Sequence, residues 1–265
     1  MRSLALTSLS VAIVAALAAC GTPPSAILDR AGAARLDALR QAPETAGDRI
    51  YQGAVFPIEP PGAPQVFSYE RRIDKLGDGL ASSHITRDTN GDVVVVESAQ
   101  FSPAYEVTRF EAVHKEAGYS GSVIVTGGRH LEYVLSQGGK IRTATEDVAD
   151  PVVTGPSLHG FILHHWDALA AGQRLPVRMI VLAKMQTYGF EIQRADASDG
   201  RTAFSITPTN FLVRLALDPL RVEFDSSTRN VLRYIGRVPP MQGVAGRSEA
   251  LDARVEYTMN VPVYR

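Results

Sequence analysis

The chain has 265 residues, of which 45% are hydrophobic and 21% are charged, a composition typical of a folded protein that excludes a disordered one. Its 27 Lys and Arg residues nearly balance 28 Asp and Glu residues. The formal net charge of -1 therefore indicates no basic surface for nucleic acid or for an anionic membrane. With a single cysteine, the fold cannot depend on an internal disulfide bond.

That cysteine, Cys20, ends an uncharged run rich in Ala, Leu and Val. Residues 1–19 resemble a bacterial lipoprotein signal peptide, because Arg2 supplies a positive n-region and residues 4–17 supply an apolar h-region. Leu17-Ala18-Ala19-Cys20 then resembles a lipobox. The resemblance implies that Cys20 is acylated and becomes the mature N-terminus, so that the lipid attaches the protein to a membrane.

The residue after Cys20 bears on which membrane the lipid attaches the protein to. Gly21 stands in place of the Asp that marks inner-membrane retention, so the resemblance implies the periplasmic face of the outer membrane. A transmembrane anchor is one alternative, but spanning a bilayer takes about 20 apolar residues and Gly21-Thr22-Pro23-Pro24 ends the run before that. An ordinary secretory signal cut after Ala18 is another, and it would leave a lone thiol near the terminus of an exported protein.

Residues 20–64 are predicted to form a lipidated tether, an amphipathic helix and a proline-rich lead-in. The helix is predicted over residues 26–41, where apolar residues recur on one stripe. Residues 57–64 contain too many prolines for a helix or a central strand. The ordered domain is therefore expected to span residues 65–265.

Turn chemistry predicts a long meander of strands. Asn90-Gly91 between two alternating segments is typical of a hairpin, because both residues tolerate positive φ. Gly138-Gly139 and Asp199-Gly200 predict two more hairpins. Further strands are predicted at residues 211–217, 220–224, 231–235 and 251–257. Alternation of apolar with polar residues indicates a largely antiparallel sheet with one buried face.

One segment has helical instead of alternating periodicity. It begins at the capping residues Thr154-Gly155-Pro156-Ser157 and ends at Gly172. Its apolar positions, which we call the helix stripe, are Leu158, Phe161, Ile162, Trp166 and Leu169. A lone helix among many strands is expected to cover the open face of a strongly curved sheet. The helix stripe is accordingly either the ligand-binding wall of a cavity or plain core.

The order and patterning of three segments resemble a known half-barrel. They are Phe67-Ser68-Tyr69-Glu70, the helix before residues 175–182, and the strand pair 219–224 with 229–235. Together they are similar to the periplasmic lipoprotein-carrier and lipoprotein-receptor (Lol) superfamily, and more closely to uncharacterised periplasmic proteins that share its half-barrel. The resemblance implies a mainly β fold, an antiparallel half-barrel with a covering helix, and a cavity for the acyl chains of a lipid or an acylated protein.

No catalytic or metal-binding motif is recognised. Adjacent His164 and His165 point about 100° apart on a helix and cannot share an ion as an i,i+4 pair can. Ser120 and Ser157 lie in glycine-containing segments that do not match G-x-S-x-G, and Ser157 is predicted to be a helix cap. Glu146, Asp147 and Asp150 are predicted to lie in a solvated loop. We therefore predict no catalytic residue, no metal and no cofactor.

The sequence predicts a lipid-anchored periplasmic protein that binds an acyl or other apolar ligand in the handling of lipids or lipoproteins. One alternative is a non-catalytic scaffold lipoprotein with a filled barrel that binds envelope proteins. Another is an envelope hydrolase, for which no motif is found. A cavity under the helix distinguishes the first two hypotheses.

Overall fold

The computed structural model describes residues 32–34, 49–76, 79–244 and 247–259. Residues 32–34, which lie inside the predicted N-terminal helix, are helical. The predicted signal peptide and the predicted lipidation site at Cys20 lie outside the described residues.

Strands dominate the described part of the chain. The first eight are β1 (Arg49–Pro57), β2 (Phe67–Leu76), β3 (Gly79–Asp88), β4 (Val93–Phe101), β5 (Val107–His114), β6 (Tyr119–Thr126), β7 (His130–Gln137) and β8 (Lys140–Asp147). The others are β9 (Val152–Val153), β10 (Leu175–Val181), β11 (Gln186–Ala195), β12 (Arg201–Pro208), β13 (Leu220–Asp225), β14 (Val231–Val244) and β15 (Arg247–Met259).

All fifteen of these strands form one sheet, in the order β8-β7-β6-β5-β4-β3-β2-β1-β15-β14-β13-β12-β11-β10-β9. Neighbours are antiparallel except β9 and β10, which are parallel. Because β8 and β9 stand at opposite ends of this order, the sheet curves without closing by strand pairing. The predicted mainly β, antiparallel half-barrel is confirmed.

Helices α1 (Gly155–His164) and α2 (Trp166–Ala170) follow β9 directly. Helix α1 starts at a local cap, in which the Thr154 backbone N–H donates to the Ser157 hydroxyl over 3.0 Å. It contacts β3, β4 and β9, and its apolar side chains pack against β11, β12 and β13, so it lies between the two halves of the sheet. Across the described residues, no helix is both long and apolar enough to cross a bilayer.

The three predicted hairpins are present. Asn90-Gly91 joins β3 to β4, Gly138-Gly139 joins β7 to β8, and Asp199-Gly200 lies between β11 and β12. Both residues of the β7–β8 turn have positive φ, 57° at Gly138 and 73° at Gly139, which glycine adopts without a steric cost. Local turn chemistry is therefore sufficient to place these strand pairs.

The predicted start of the domain at residue 65 is wrong, because β1 precedes it and pairs with both β2 and β15. Tyr51, Gly53 and Val55 alternate into the interior. A Cβ atom on Gly53 would lie 2.8 Å from a methyl group of Val255, so glycine allows the two strands to approach closely. Because Gly53 interrupts the alternation of apolar and polar residues, the hydrophobic pattern did not predict this strand.

The strand predicted over residues 211–217 is also wrong. A short helix, α3 (Phe211–Arg214), begins there, capped by the Asn210 side chain, which accepts a hydrogen bond from the Leu212 backbone N–H over 2.8 Å. This local cap satisfies backbone donors without a neighbouring strand. As a result α3 lies outside the sheet, and Phe211, Leu212 and Leu215 are exposed.

Glu146 and Asp147 belong to β8, which corrects the prediction of a solvated loop there. The Glu146 carboxylate accepts hydrogen bonds from the Thr187 backbone N–H at 2.7 Å and the Thr187 hydroxyl at 2.8 Å. It also accepts from Arg178 at 3.2 Å and from the Tyr133 hydroxyl at 3.0 Å. We call these four residues the edge clasp. It joins β7 and β8 to β10 and β11, where the sheet lacks strand pairing.

Candidate functional site

A cleft of about 290 Å³ lies between the N-terminal end of α1 and the curved sheet. Most of its lining is apolar, and the residues come from strands on both sides of the barrel as well as from the helix. They include Phe110, Leu158, Ile180, Phe190, Leu220 and Val255. The interior is therefore not completely filled by side chains.

The helix stripe is divided between this cleft and the core. Leu158 lines the cleft, whereas the other four stripe residues are buried in the main apolar cluster. Trp166, for example, packs edge-on against Phe204 and Phe224, with ring centroids 5.3 and 5.4 Å apart. The ligand contact predicted for the stripe stays a prediction for Leu158, while Phe161, Ile162, Trp166 and Leu169 form part of the packed core.

The cleft has a polar wall formed by β3 and β4. His84 and Glu97 are cross-strand partners, and their closest side-chain atoms, Nδ1 and Oε2, lie 3.9 Å apart. The Nε2 atom of His84 is buried and has no hydrogen-bond partner in the described part of the chain. Gly155, the first residue of α1, lies over this pair, since a Cβ atom on it would be 3.4 Å from Oε2 of Glu97.

Burial sets the charges of this wall. It raises the pKa of Glu97 from 4.5 to about 7, because a buried carboxylate loses its hydration. Burial also holds the pKa of His84 well below 6.5, and the positive charge of Arg71 and the nearby His159 lower it further. At neutral pH the His84 ring is consequently uncharged, whereas the Glu97 carboxyl group is partly ionised.

A buried relay behind this wall fixes the start of α1. Arg71, which is completely buried, donates one hydrogen bond to the Tyr51 hydroxyl at 2.6 Å and another to the Pro156 carbonyl at 2.7 Å. The Tyr51 hydroxyl in turn lies 2.6 Å from Nδ1 of His159. Burial, and to a smaller extent Arg71, hold the pKa of His159 well below 6.5, so its neutral ring can accept a hydrogen bond from the Tyr51 hydroxyl.

Neither the relay nor the polar wall was recognised in the sequence. Tyr51 and Arg71 are cross-strand partners of β1 and β2, and β1 was not predicted. One signal was present: Arg71 falls in phase with Tyr69 on the strand that begins at Phe67. An arginine on the buried face of an alternating strand indicates a partner in the interior.

The described residues do not form the other candidate sites, a metal site or a serine nucleophile. Among the residues that the structure describes, no three His, Cys, Asp or Glu side chains come together as metal ligands. Ser157 donates its hydroxyl to the Thr154 carbonyl at 3.2 Å and is engaged in the cap, as predicted.

No family model matches the sequence, and no curated protein matches it. Among solved structures, the chain is similar to a β-barrel-like protein with a domain of unknown function, DUF1849, from Brucella abortus. The identity is 10% and the TM-score 0.43, over 80% of this chain and 98% of that one. It is also similar to a porin-like protein from Bacteroides uniformis, with 9% identity and a TM-score of 0.21, over 80% of this chain and 98% of that one. Structural similarities this weak give no indication of the function of this chain.

Replacing Glu97 by glutamine should remove a pH-dependent loss of stability. Because the pKa of Glu97 is about 7 when folded and 4.5 ordinarily, the folded protein binds the proton more tightly than the unfolded chain. The contribution of Glu97 to the free energy of unfolding is thus fully present below about pH 4.5 and is lost as the pH rises through about 7. Between about pH 5 and pH 8, the wild-type protein should lose up to about 3 kcal/mol relative to Glu97→Gln.

Urea unfolding of both proteins at the two pH values measures this difference. Because His84 and His159 are present in both proteins, their titration largely cancels in the comparison. Glu132→Gln, at an exposed position on β7, should follow the wild-type protein. A difference between wild type and Glu97→Gln that does not change with pH would contradict the assignment.

Proposed function

We propose that this chain is a lipid-anchored envelope protein that binds an apolar or amphiphilic ligand in the cleft between α1 and the sheet. The observation that carries the proposal is the cleft itself, with its mainly apolar lining and a volume of about 290 Å³. Small-molecule sites typically enclose about 300 to 1,000 Å³ and combine an apolar lining with a few polar groups. The cleft is at the lower end of that range.

The volume also indicates the size of ligand that fits. If a methylene group occupies roughly the volume of a water molecule, about 30 Å³, the cleft has room for at least one aliphatic chain of about ten carbon atoms. A ligand with a single chain of this length is therefore a suitable probe of the cleft.

The predicted anchor supports an envelope role. The lipobox at Cys20 resembles those of exported lipoproteins, and Gly21 favours the periplasmic face of the outer membrane. Attachment there would hold the cleft near a source of acyl chains. Binding is favoured over catalysis because Ser157, a candidate nucleophile, is used in the helix cap. A scaffold with a filled barrel is disfavoured by the cleft.

Filling the cleft should abolish binding. Ala183, in the short turn after β10, lines the cleft, and an indole ring at this position would occupy space that the ligand needs. Ala183→Trp should weaken the binding of decan-1-ol by at least about tenfold, whereas Ala171→Trp, at an exposed position after α2, should leave it unchanged. Isothermal titration calorimetry on purified protein freed of co-purifying lipid measures both affinities.

Equal binding of decan-1-ol by wild type and Ala183→Trp would contradict the proposal. Mass spectrometry of lipid extracted from the purified protein provides a second readout. The wild-type protein and Ala171→Trp should carry a co-purifying amphiphile, and Ala183→Trp should carry less of it.

A further inference from the structure

The polar wall of the cleft bears on the kind of ligand. We infer that the cleft takes an amphiphile whose head group donates hydrogen bonds, a hydroxyl or a protonated amine, and that Glu97 selects this head group over a carboxylate. The inference rests on the proposed function, because it concerns the polar end of the same site.

The first argument is the charge of the cleft. Glu97 is the one acidic residue among the described residues that line it. Arg237 also lines it, but its guanidinium is held by both carboxylate oxygens of Asp252, at 2.8 and 3.0 Å. His84 and His159 are kept neutral by burial. Above about pH 7 the net charge that a ligand meets in the cleft is therefore that of the Glu97 carboxylate.

The second argument is unused hydrogen-bonding capacity. The Glu97 carboxylate lies 3.9 Å from Nδ1 of His84, beyond the usual N–H···O distance of about 2.7 to 3.2 Å. The Glu97 side chain is 14% exposed and lines the cleft, so a ligand head group can reach its carboxylate. A polar group largely withdrawn from water destabilises the protein unless a hydrogen-bond partner satisfies it.

The third argument concerns which head group fits. An ammonium or hydroxyl group donates to a carboxylate, and charge-assisted hydrogen bonds of this kind are stronger than neutral ones. A hydroxyl group can in addition bond to the neutral His84 ring, which offers one donor and one acceptor. A ligand carboxylate would instead meet a like charge in a poorly hydrated site, which disfavours it. Glu97 thus attracts one class of amphiphile and repels another.

The test compares three probes with the same ten-carbon chain: decylamine, decan-1-ol and decanoate. Binding is measured by isothermal titration calorimetry on the purified full chain at about pH 8, where carboxylates are ionised. The wild-type protein should bind decylamine, and then decan-1-ol, at least about tenfold more tightly than decanoate. Glu97→Gln should reduce the preference for decylamine over decanoate to near unity. The matched charge removal Glu132→Gln, at an exposed position, should keep it.

A second variant tests the same point without changing a charge. Gly155 has no Cβ, and an alanine methyl group there would lie 3.4 Å from Oε2 of Glu97 and 3.8 Å from Nδ1 of His84. Gly155→Ala should therefore cover the carboxylate and lower the preference for decylamine, with the unfolding transition largely unchanged. This variant separates loss of head-group contact from any change of fold in Glu97→Gln.

The outcomes separate the inference from the proposed function. Wild-type binding of decanoate as tight as that of decylamine overturns the inference and leaves the proposed function standing. A preference for decylamine that survives both Glu97→Gln and Gly155→Ala also overturns it. Absence of binding by all three probes overturns the proposed function itself, and the inference with it.

Discussion

Replacing Phe161 by alanine should lower the free energy of unfolding by about 3 to 5 kcal/mol, the cost of removing a buried aromatic side chain from a packed core. Phe161 is 1% exposed and belongs to the apolar cluster that joins α1 to β11, β12 and β13. It is not among the residues that line the cleft. Urea unfolding should show the loss of stability, while the affinity for decan-1-ol should change little.

Phe211→Ala is the matched control, because the same side chain on α3 is 70% exposed. Its effect should be within about 0.5 kcal/mol of zero. A mild loss of stability in Phe161→Ala, accompanied by a loss of ligand binding, would contradict the division of the helix stripe between core and cleft. Phe161 would then have to be counted as part of the binding wall.

Replacing Glu146 by alanine should lower the free energy of unfolding by a similar amount, about 3 to 5 kcal/mol. Removing one member of a largely buried ion pair leaves its partners buried without a counter-charge or an acceptor. The Glu146 side chain is only 21% exposed, and its two oxygens accept four hydrogen bonds within the edge clasp. The backbone N–H of Thr187 and the guanidinium of Arg178 would both lose an acceptor.

Glu132→Ala removes a carboxylate from the adjacent strand β7, where the side chain is 59% exposed, and should cost little. Hydrogen exchange locates the effect of Glu146→Ala. Protection should fall first in β8 and β10, on either side of the clasp, before the rest of the sheet is affected. Uniform loss of protection across all strands would indicate that the clasp has no special role in joining the two ends.

The sequence was most informative where structure is determined locally. The turn at Gly138-Gly139 needs two residues that tolerate positive φ, and that requirement is visible without any knowledge of the rest of the fold. The segment after Asn210 shows the limit of this reasoning. Its apolar residues fit a strand or a short helix equally well, and a single capping hydrogen bond from Leu212 favours the helix.

The candidate site was less predictable because its residues come from distant parts of the sequence. His84 and Glu97 face each other through the register of β3 and β4, and Gly155 reaches them only because α1 passes over those strands. The spacing of the histidines in the sequence forms no motif. His84 is distinguished by its burial beside Glu97, a property of the folded interior that residue spacing does not encode.

The relay of Arg71, Tyr51 and His159 has a consequence for how quickly a ligand can exchange. It bonds the first turn of α1 to β1 and β2, while Phe161 holds the same helix in the apolar core. With both ends of α1 fixed, the helix is a rigid wall and not a lid that opens. Stopped-flow measurements of ligand entry should accordingly show a single bimolecular phase, whose rate rises in proportion to ligand concentration without reaching a plateau set by a conformational step.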